Sequence, residues 1–357
     1  MKKLLVFLLP LALLVAACGS GSGEYKLTVT LDDEAADGQT FFLINYATGD
    51  TIDSASIANK KALFKGKLEE PMVAQIKLGD AGQELVLEPG DITFTWETGE
   101  PKGTPLNDKL TVIYKEANDI ASEYGEVSRK FANKEISEAD AQRMGREIGD
   151  RLSARLFKAF EDNKDNPIGG YMLSQWLPAQ DITLAKLDSI LGTVPAAVKE
   201  MKPIKKIRDA LLALDNTGEG KKYVDFTVVG DDGKERKLSD YVGKGDLLVV
   251  DFWASWCGPC RVEIEKSLKP LYAKYNGKGL KIIGVAVWDK PADTRAAVEE
   301  LALPWDVIIG DKELSEPTDL YGITGIPHIM IIDNYGTIVS RDLRGDDLIA
   351  KVDELMK

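Results

Sequence analysis

Val250-Asp251-Phe252-Trp253-Ala254-Ser255-Trp256-Cys257-Gly258-Pro259-Cys260 decides the fold of the C-terminal part of this chain. It grows out of the apolar run Leu247-Leu248-Val249-Val250, whose shortness and β-branched content mark a buried strand. Pro259 suits an early helix position, where its missing N–H costs little. A C-x-x-C pair set between a buried strand and the opening of a helix points to redox chemistry. Two residues between the cysteines, on a first helical turn, bring the sulfurs within disulfide range. Cys257 then lies at the helix N-terminus, where free N–H groups and the dipole favour a thiolate, the attacking form in exchange. Cys260, further inside the helix, is the natural resolving thiol. Two other readings compete. A zinc knuckle needs four ligands, and the chain offers no second C-x-x-C and a single histidine, His328. A purely structural disulfide closing so short a loop stabilises little through chain entropy.

Outward from this segment the pattern stays α/β. Lys281-Ile282-Ile283-Gly284-Val285-Ala286-Val287 and Ile329-Met330-Ile331-Ile332 are further buried-strand runs. The second is followed by the turn Asp333-Asn334-Tyr335-Gly336 and the strand Thr337-Ile338-Val339. Residues 217–357 resemble the TlpA/ResA-like branch of the thioredoxin superfamily. The stretch 252–260 is near-identical to that branch's active-site signature. Tyr223-Val224-Asp225-Phe226, Asp232-Gly233-Lys234 and Leu238-Ser239-Asp240 resemble its lead-in hairpin, and Gly325-Ile326-Pro327 its cis-proline loop.

The resemblance implies a thioredoxin-like fold and a set of roles. Cys257 and Cys260 are the catalytic pair. Pro327 has a cis peptide bond, and Trp256, Ile326 and Pro327 contact the substrate, the main chain at Ile326 pairing with an incoming peptide strand. Asp251 matches a buried acid that shuttles the proton of Cys260, since an acid inside an apolar strand is expensive unless it has a use. Its alternative is a solvated or capping Asp at a strand end. Glu263, one helical turn beyond Cys260, matches a further acid, with a solvated helix position as the alternative. Two positions depart from the branch. Glu265 stands where a helix-kinking proline is usual, and Pro270 comes later, so the kink is expected to move. His328 follows the cis-proline where Thr is common, either as a cation beside the disulfide or as an exposed strand-start residue. Arg261 is read as an exposed helix residue that could add positive potential.

Upstream, Met1-Lys2-Lys3 and the apolar residues 4–15 read as a secretory leader, too short for a membrane span. Val15-Ala16-Ala17-Cys18 resembles the bacterial lipobox, which implies cleavage before Cys18 and lipidation of that residue. Gly19-Ser20-Gly21-Ser22-Gly23 reads as a flexible tether. Gly19 after the cysteine implies the outer membrane, facing the periplasm. Residues 24–104 alternate as short strands (Tyr25, Leu27, Val29, Leu31; Ile92, Phe94, Trp96), a small all-β sandwich or barrel. They resemble, more loosely, the β-rich domain of unknown role fused to such thioredoxins in Bacteroidetes lipoproteins. Residues 105–216 turn helical. Leu106, Leu110, Ile113, Ala117, Ile120 and Tyr124 form one stripe, read as packing against a neighbouring helix. Asp181 is the expected N-cap of a helix over 182–191.

The 357 residues carry 45 Lys plus Arg against 58 Asp plus Glu, a net charge of −13. Loss of Lys2 and Lys3 with the leader makes the mature chain more acidic still. No basic stripe exists to neutralise phosphates, so nucleic-acid binding is not expected. No cofactor or metal is expected. The expected function is that of a membrane-anchored thiol-disulfide oxidoreductase that reduces disulfides of exported proteins, recharged by a membrane or periplasmic electron donor and held to the bilayer through acylated Cys18. Two alternatives are a scaffold lipoprotein whose N-terminal half captures clients, and a thiol-dependent peroxidase.

Overall fold

A computed structural model describes residues 23–33, 36–230 and 232–357. The leader, Cys18 and most of the tether lie outside the described residues. The chain divides into two compact units: residues through Gln180 with Thr193–Ile204, and Asp181–Gly192 with Lys205–Lys357. The helical stretch expected over 105–216 is thus shared between them.

The first unit begins as a sandwich of two four-stranded sheets. One has the order Lys61–Lys67, Glu24–Thr30, Gly90–Thr95, Glu100–Lys102; the other Thr51–Ser56, Thr40–Asn45, Met72–Leu78, Ala81–Leu87. Alternation sends Leu27, Val29, Phe64 and Phe94 from one sheet and Phe41, Leu43, Ile76 and Leu85 from the other into a single core. The first strand pairs parallel with Gly90–Thr95, Leu27 lying opposite Ile92. The helix Pro105–Ala132 follows, and its first free N–H groups are satisfied from the sandwich, because Glu88 Oε1 accepts from the N–H of Leu106 (2.7 Å) and of Asn107 (3.1 Å). The apolar stripe of this helix packs on a second, Glu138–Glu161, where the Tyr124 hydroxyl stands 3.0 Å from the place a Cβ at Gly149 would occupy.

The second unit is built on a five-stranded sheet ordered Asp306–Ile308, Leu280–Ala286, Leu247–Trp253, His328–Asp333, Ile338–Arg341. The first three strands are parallel and the last two antiparallel to their neighbours. All seven residues of the central strand Leu247–Trp253 are buried, as its apolar run predicts. Leu247, Val249 and Trp253 face one core, shared with the helix that starts at Gly258; Leu248, Val250 and Phe252 face the other. This is the expected thioredoxin-like α/β domain, preceded by a β-rich domain and helices.

One local expectation needs correction. The helix expected at 182–191 is Leu184–Leu191, and its cap is Thr183, whose Oγ1 accepts from Lys186 N–H; Asp181 stands two residues too early. The helix carrying the cysteines, where the kink is expected to move, is irregular just before Pro270. It runs from Gly258–Glu263 through a π-helical stretch, Ile264–Leu268, into Lys269–Tyr275. Lys269 N–H reaches back five residues to Ile264 O, a wider turn immediately before the N–H that Pro270 lacks.

Candidate active site

The central strand ends at Trp253, the chain turns over Ala254-Ser255-Trp256, and the helix begins at Gly258 with Cys257 as its N-cap. Cys257 and Cys260 are joined as a disulfide with their Cα atoms 5.3 Å apart. Cys260 N–H donates to Cys257 Sγ at 3.2 Å, so the first sulfur already occupies the place of a helix-capping acceptor. Cys260 is fully buried and Cys257 is 3% exposed, whereas Trp256 beside them is 63% exposed.

Beneath the helix, on the same strand face as Val249 and Trp253, Asp251 is 1% exposed and its Oδ1 has no hydrogen-bond partner among the described residues. Burial, and secondarily the charge of Glu263, pushes its carboxyl up to about 8. Glu263 is buried as well, and its Oε1 accepts from Gly345 N–H (2.7 Å), the first residue of the helix Gly345–Leu355. Neither acid is the solvated residue that the alternative readings placed there. Gly345 thereby gains a place that its sequence neighbourhood did not show.

The Ile326–Pro327 peptide is cis, as the resemblance implies. Pro327 is buried, Ile326 half-buried, and among the described residues neither main-chain polar group of Ile326 is hydrogen-bonded. His328 fits neither expectation. It is buried, and its Nε2 faces the Arg341 guanidinium, with Nη2 at 3.2 Å. Burial, reinforced by Arg341, lowers its pKa to about 4, so it is a neutral acceptor and no cation at neutral pH. Arg341 is held in turn by Thr217 O and Oγ1 and by Tyr321 O. Arg261 is engaged rather than free: Nε donates to Ser255 O (2.8 Å), and its two Nη atoms bind Glu300.

One group absent from the sequence reading stands against the active-site turn. Asp289 accepts from Ser255 N–H and Oγ and from Thr294 Oγ1, and Trp256 Nε1 donates to Trp288 O. The available signal was position, since Trp288-Asp289 follows the carboxyl end of a strand adjacent to the central one, where α/β sheets concentrate their sites.

Residues 220–341 match the AhpC/TSA family, and residues 25–110 match a domain of unknown function, DUF4369. The thiol-disulfide oxidoreductase ResA of Bacillus thuringiensis is 31% identical over 138 residues, spanning 39% of this chain and 76% of that protein. The chain belongs to the ResA family of thiol-disulfide oxidoreductases. The thiol:disulfide interchange protein HelX of Rhodobacter capsulatus is likewise 31% identical, over 115 residues and 62% of its length. Among solved structures, the thioredoxin domain of a thiol-disulfide oxidoreductase from Bacteroides vulgatus is 33% identical, covering 39% of this chain and 99% of that one, with a TM-score of 0.35. The AhpC/TSA match contains both Cys257 and Cys260. Like its relatives, the protein is an oxidoreductase that exchanges thiols for disulfides.

Proposed function

We propose that this ResA-family protein works as a reductase of disulfides in exported proteins, anchored to the cell envelope through a lipid on Cys18. The observation that carries the chemistry is the Cys257–Cys260 disulfide, closed over the N-terminus of a helix with exposed Trp256 beside it and buried Asp251 beneath. In the reduced protein the Cys257 thiolate attacks one sulfur of a client disulfide. A Cys257–client bond forms, the client bond breaks, and one client thiolate leaves. Cys260 then attacks Cys257 Sγ, which forms the Cys257–Cys260 disulfide and releases the second client thiolate. Two electrons have passed to the client. Asp251 as carboxylate takes the proton that Cys260 gives up, and its pKa, raised to about 8 by burial, makes it a stronger base than an exposed carboxylate. Glu263 tunes this acid by its charge. Trp256 and the main chain of Ile326 beside cis-Pro327 receive the client strand.

The Gly258-Pro259 dipeptide resembles the reducing end of the thioredoxin-fold range, so a dithiol donor in the envelope returns the pair to its reduced form. Among the described residues no helix is long and apolar enough to cross a membrane; the acyl chains on Cys18 supply the anchorage. The decisive experiment is trapping. Cys260→Ser accumulates mixed disulfides on Cys257 with envelope proteins, and Cys257→Ser/Cys260→Ser accumulates none. Equal yields from the two would defeat the assignment.

A further inference from the structure

Ser255 immediately precedes the Trp256-Cys257 pair, and all three of its polar groups are engaged. Its N–H donates to Asp289 Oδ2 at 2.6 Å and its hydroxyl to Asp289 Oδ1 at 2.9 Å, while its carbonyl accepts from Arg261 Nε at 2.8 Å. The indole of Trp256 is tied by its Nε1 to Trp288 O at 3.0 Å, and Trp288 holds a left-handed backbone, φ 54°, that L residues seldom adopt. One helix, Pro291–Glu300, anchors both sides of the arrangement. Thr294 near its start donates to Asp289 Oδ2 (2.8 Å), and Glu300 at its end holds the Arg261 guanidinium at 2.9 and 3.1 Å. Asp289 is 6% exposed, so its carboxylate is withdrawn from water and divides its acceptors between this turn and Thr294. It does not serve as a helix cap: the N-cap position is Lys290, and no side chain caps the backbone there.

We propose that Asp289 is a positioning residue for client engagement, acting through Ser255 to fix Trp256 as a rigid wall beside Cys257. The inference rests on the reading that Trp256 faces the client. With the wall fixed in advance, a protein client meets an ordered surface and does not have to order it on binding. A small disulfide, which needs only the sulfur of Cys257, does not draw on that wall. The two substrate classes therefore separate this role from general damage.

The test uses the full chain, with insulin as protein client and 5,5′-dithiobis(2-nitrobenzoate) as small disulfide. Asp289→Ala is expected to raise KM for insulin about tenfold, with kcat and the rate with the small disulfide within about twofold of the parent. Asp289→Asn keeps an oxygen for the Ser255 and Thr294 donors and turns an amide toward the Ser255 hydroxyl, which can accept; it is expected to restore the parent KM. With 5-fluorotryptophan incorporated, the Trp256 resonance, assigned by its loss in Trp256→Phe, shifts and narrows in Asp289→Ala and returns in Asp289→Asn. If Asp289→Ala does not fold, Ser255→Ala, which deletes one of the bonds without stranding a charge, decides: a raised insulin KM and a moved Trp256 resonance support the proposal, and parent values of both overturn it. An equal loss on both substrates, or an unchanged KM in Asp289→Ala, also overturns it. Trp256→Ala tells the two failures apart. If it leaves the insulin KM unchanged, the client-facing reading of Trp256 is wrong; if it raises KM while Asp289→Ala does not, the positioning role alone is wrong.

Discussion

In the sandwich unit Asn107 is fully buried and both ends of its amide are occupied. Oδ1 accepts from Val86 N–H at 2.9 Å, and Nδ2 donates to Val86 O at 2.7 Å and to Thr104 Oγ1 at 2.8 Å. In the redox unit Asp251 is as deeply buried, yet its Oδ1 has no partner among the described residues, and neither do Trp253 Nε1 and Ser267 Oγ of the same unit. Both residues break the rule that interiors are apolar, with opposite outcomes. The amide is neutral and fully bonded, so it joins strand to helix at little cost. The acid lacks compensation, and the protein answers by holding its proton to far higher pH than water would. A satisfied buried polar group serves architecture; an unsatisfied one beneath a disulfide is available for chemistry.

Substitutions can break or sharpen that contrast. The largest effect belongs to the sulfur pair itself: Cys257→Ala lowers insulin reduction by at least about three orders of magnitude, while the unfolding curve of the sandwich unit stays put. Next, Asn107→Leu leaves the N–H and C=O of Val86 unpaired and destabilises by about 2–3 kcal/mol in denaturant titrations. Insulin reduction per folded molecule is unchanged, and a parallel loss of activity would show that the two roles are not separate.

Asp251→Asn works in the opposite direction on stability. The acid's folded pKa is raised from 3.8 to about 8, so its contribution is fully present below the unfolded value and is lost as pH climbs toward the folded one. Relative to the gap at pH 4, the Asn variant therefore gains on the parent between about pH 4 and 8, reaching about 2 kcal/mol or more. On the proposed role of Asp251 as proton acceptor for Cys260, exchange is expected to slow at the same time. A gap that does not change with pH would remove Asp251 from this account. The smallest effect is that of Glu263→Gln. Deleting the second cause of the raised pKa lets Asp251 ionise earlier, and the upper edge of the same pH window moves down, readable on the same stability curves.

What the sequence makes legible here is whatever repeats or sits within a few residues. The central strand is visible because four apolar residues precede Asp251, and the cysteine pair because its spacing and its strand-to-helix setting coincide. The alternation of Leu27, Val29 and Leu31 suffices for a strand. It says nothing of the parallel pairing of that strand with Gly90–Thr95, more than sixty positions away. The fate of His328 depends on Arg341, which reaches it because Met330 lies opposite Arg341 across two strands, a register that no local pattern encodes. Asp289 is hidden for the same reason, since its partners at Ser255 lie thirty-four residues earlier. Asp181 and Thr183 are both good capping types two positions apart, and only the start of the helix at Leu184 chooses between them.

The widened turn Ile264–Leu268 has a consequence for counting. A regular helix advances about 100° per residue, so one surplus residue absorbed in five changes the phase of everything beyond it by about that angle. Spacing rules carried forward from Cys260 hold as far as Glu263 and then slip by one place from Lys269 onward. A relative lacking a single amino acid in this stretch could keep the same buried side chains on both flanks, and an alignment that scores such a gap as damage would be penalising a change of winding.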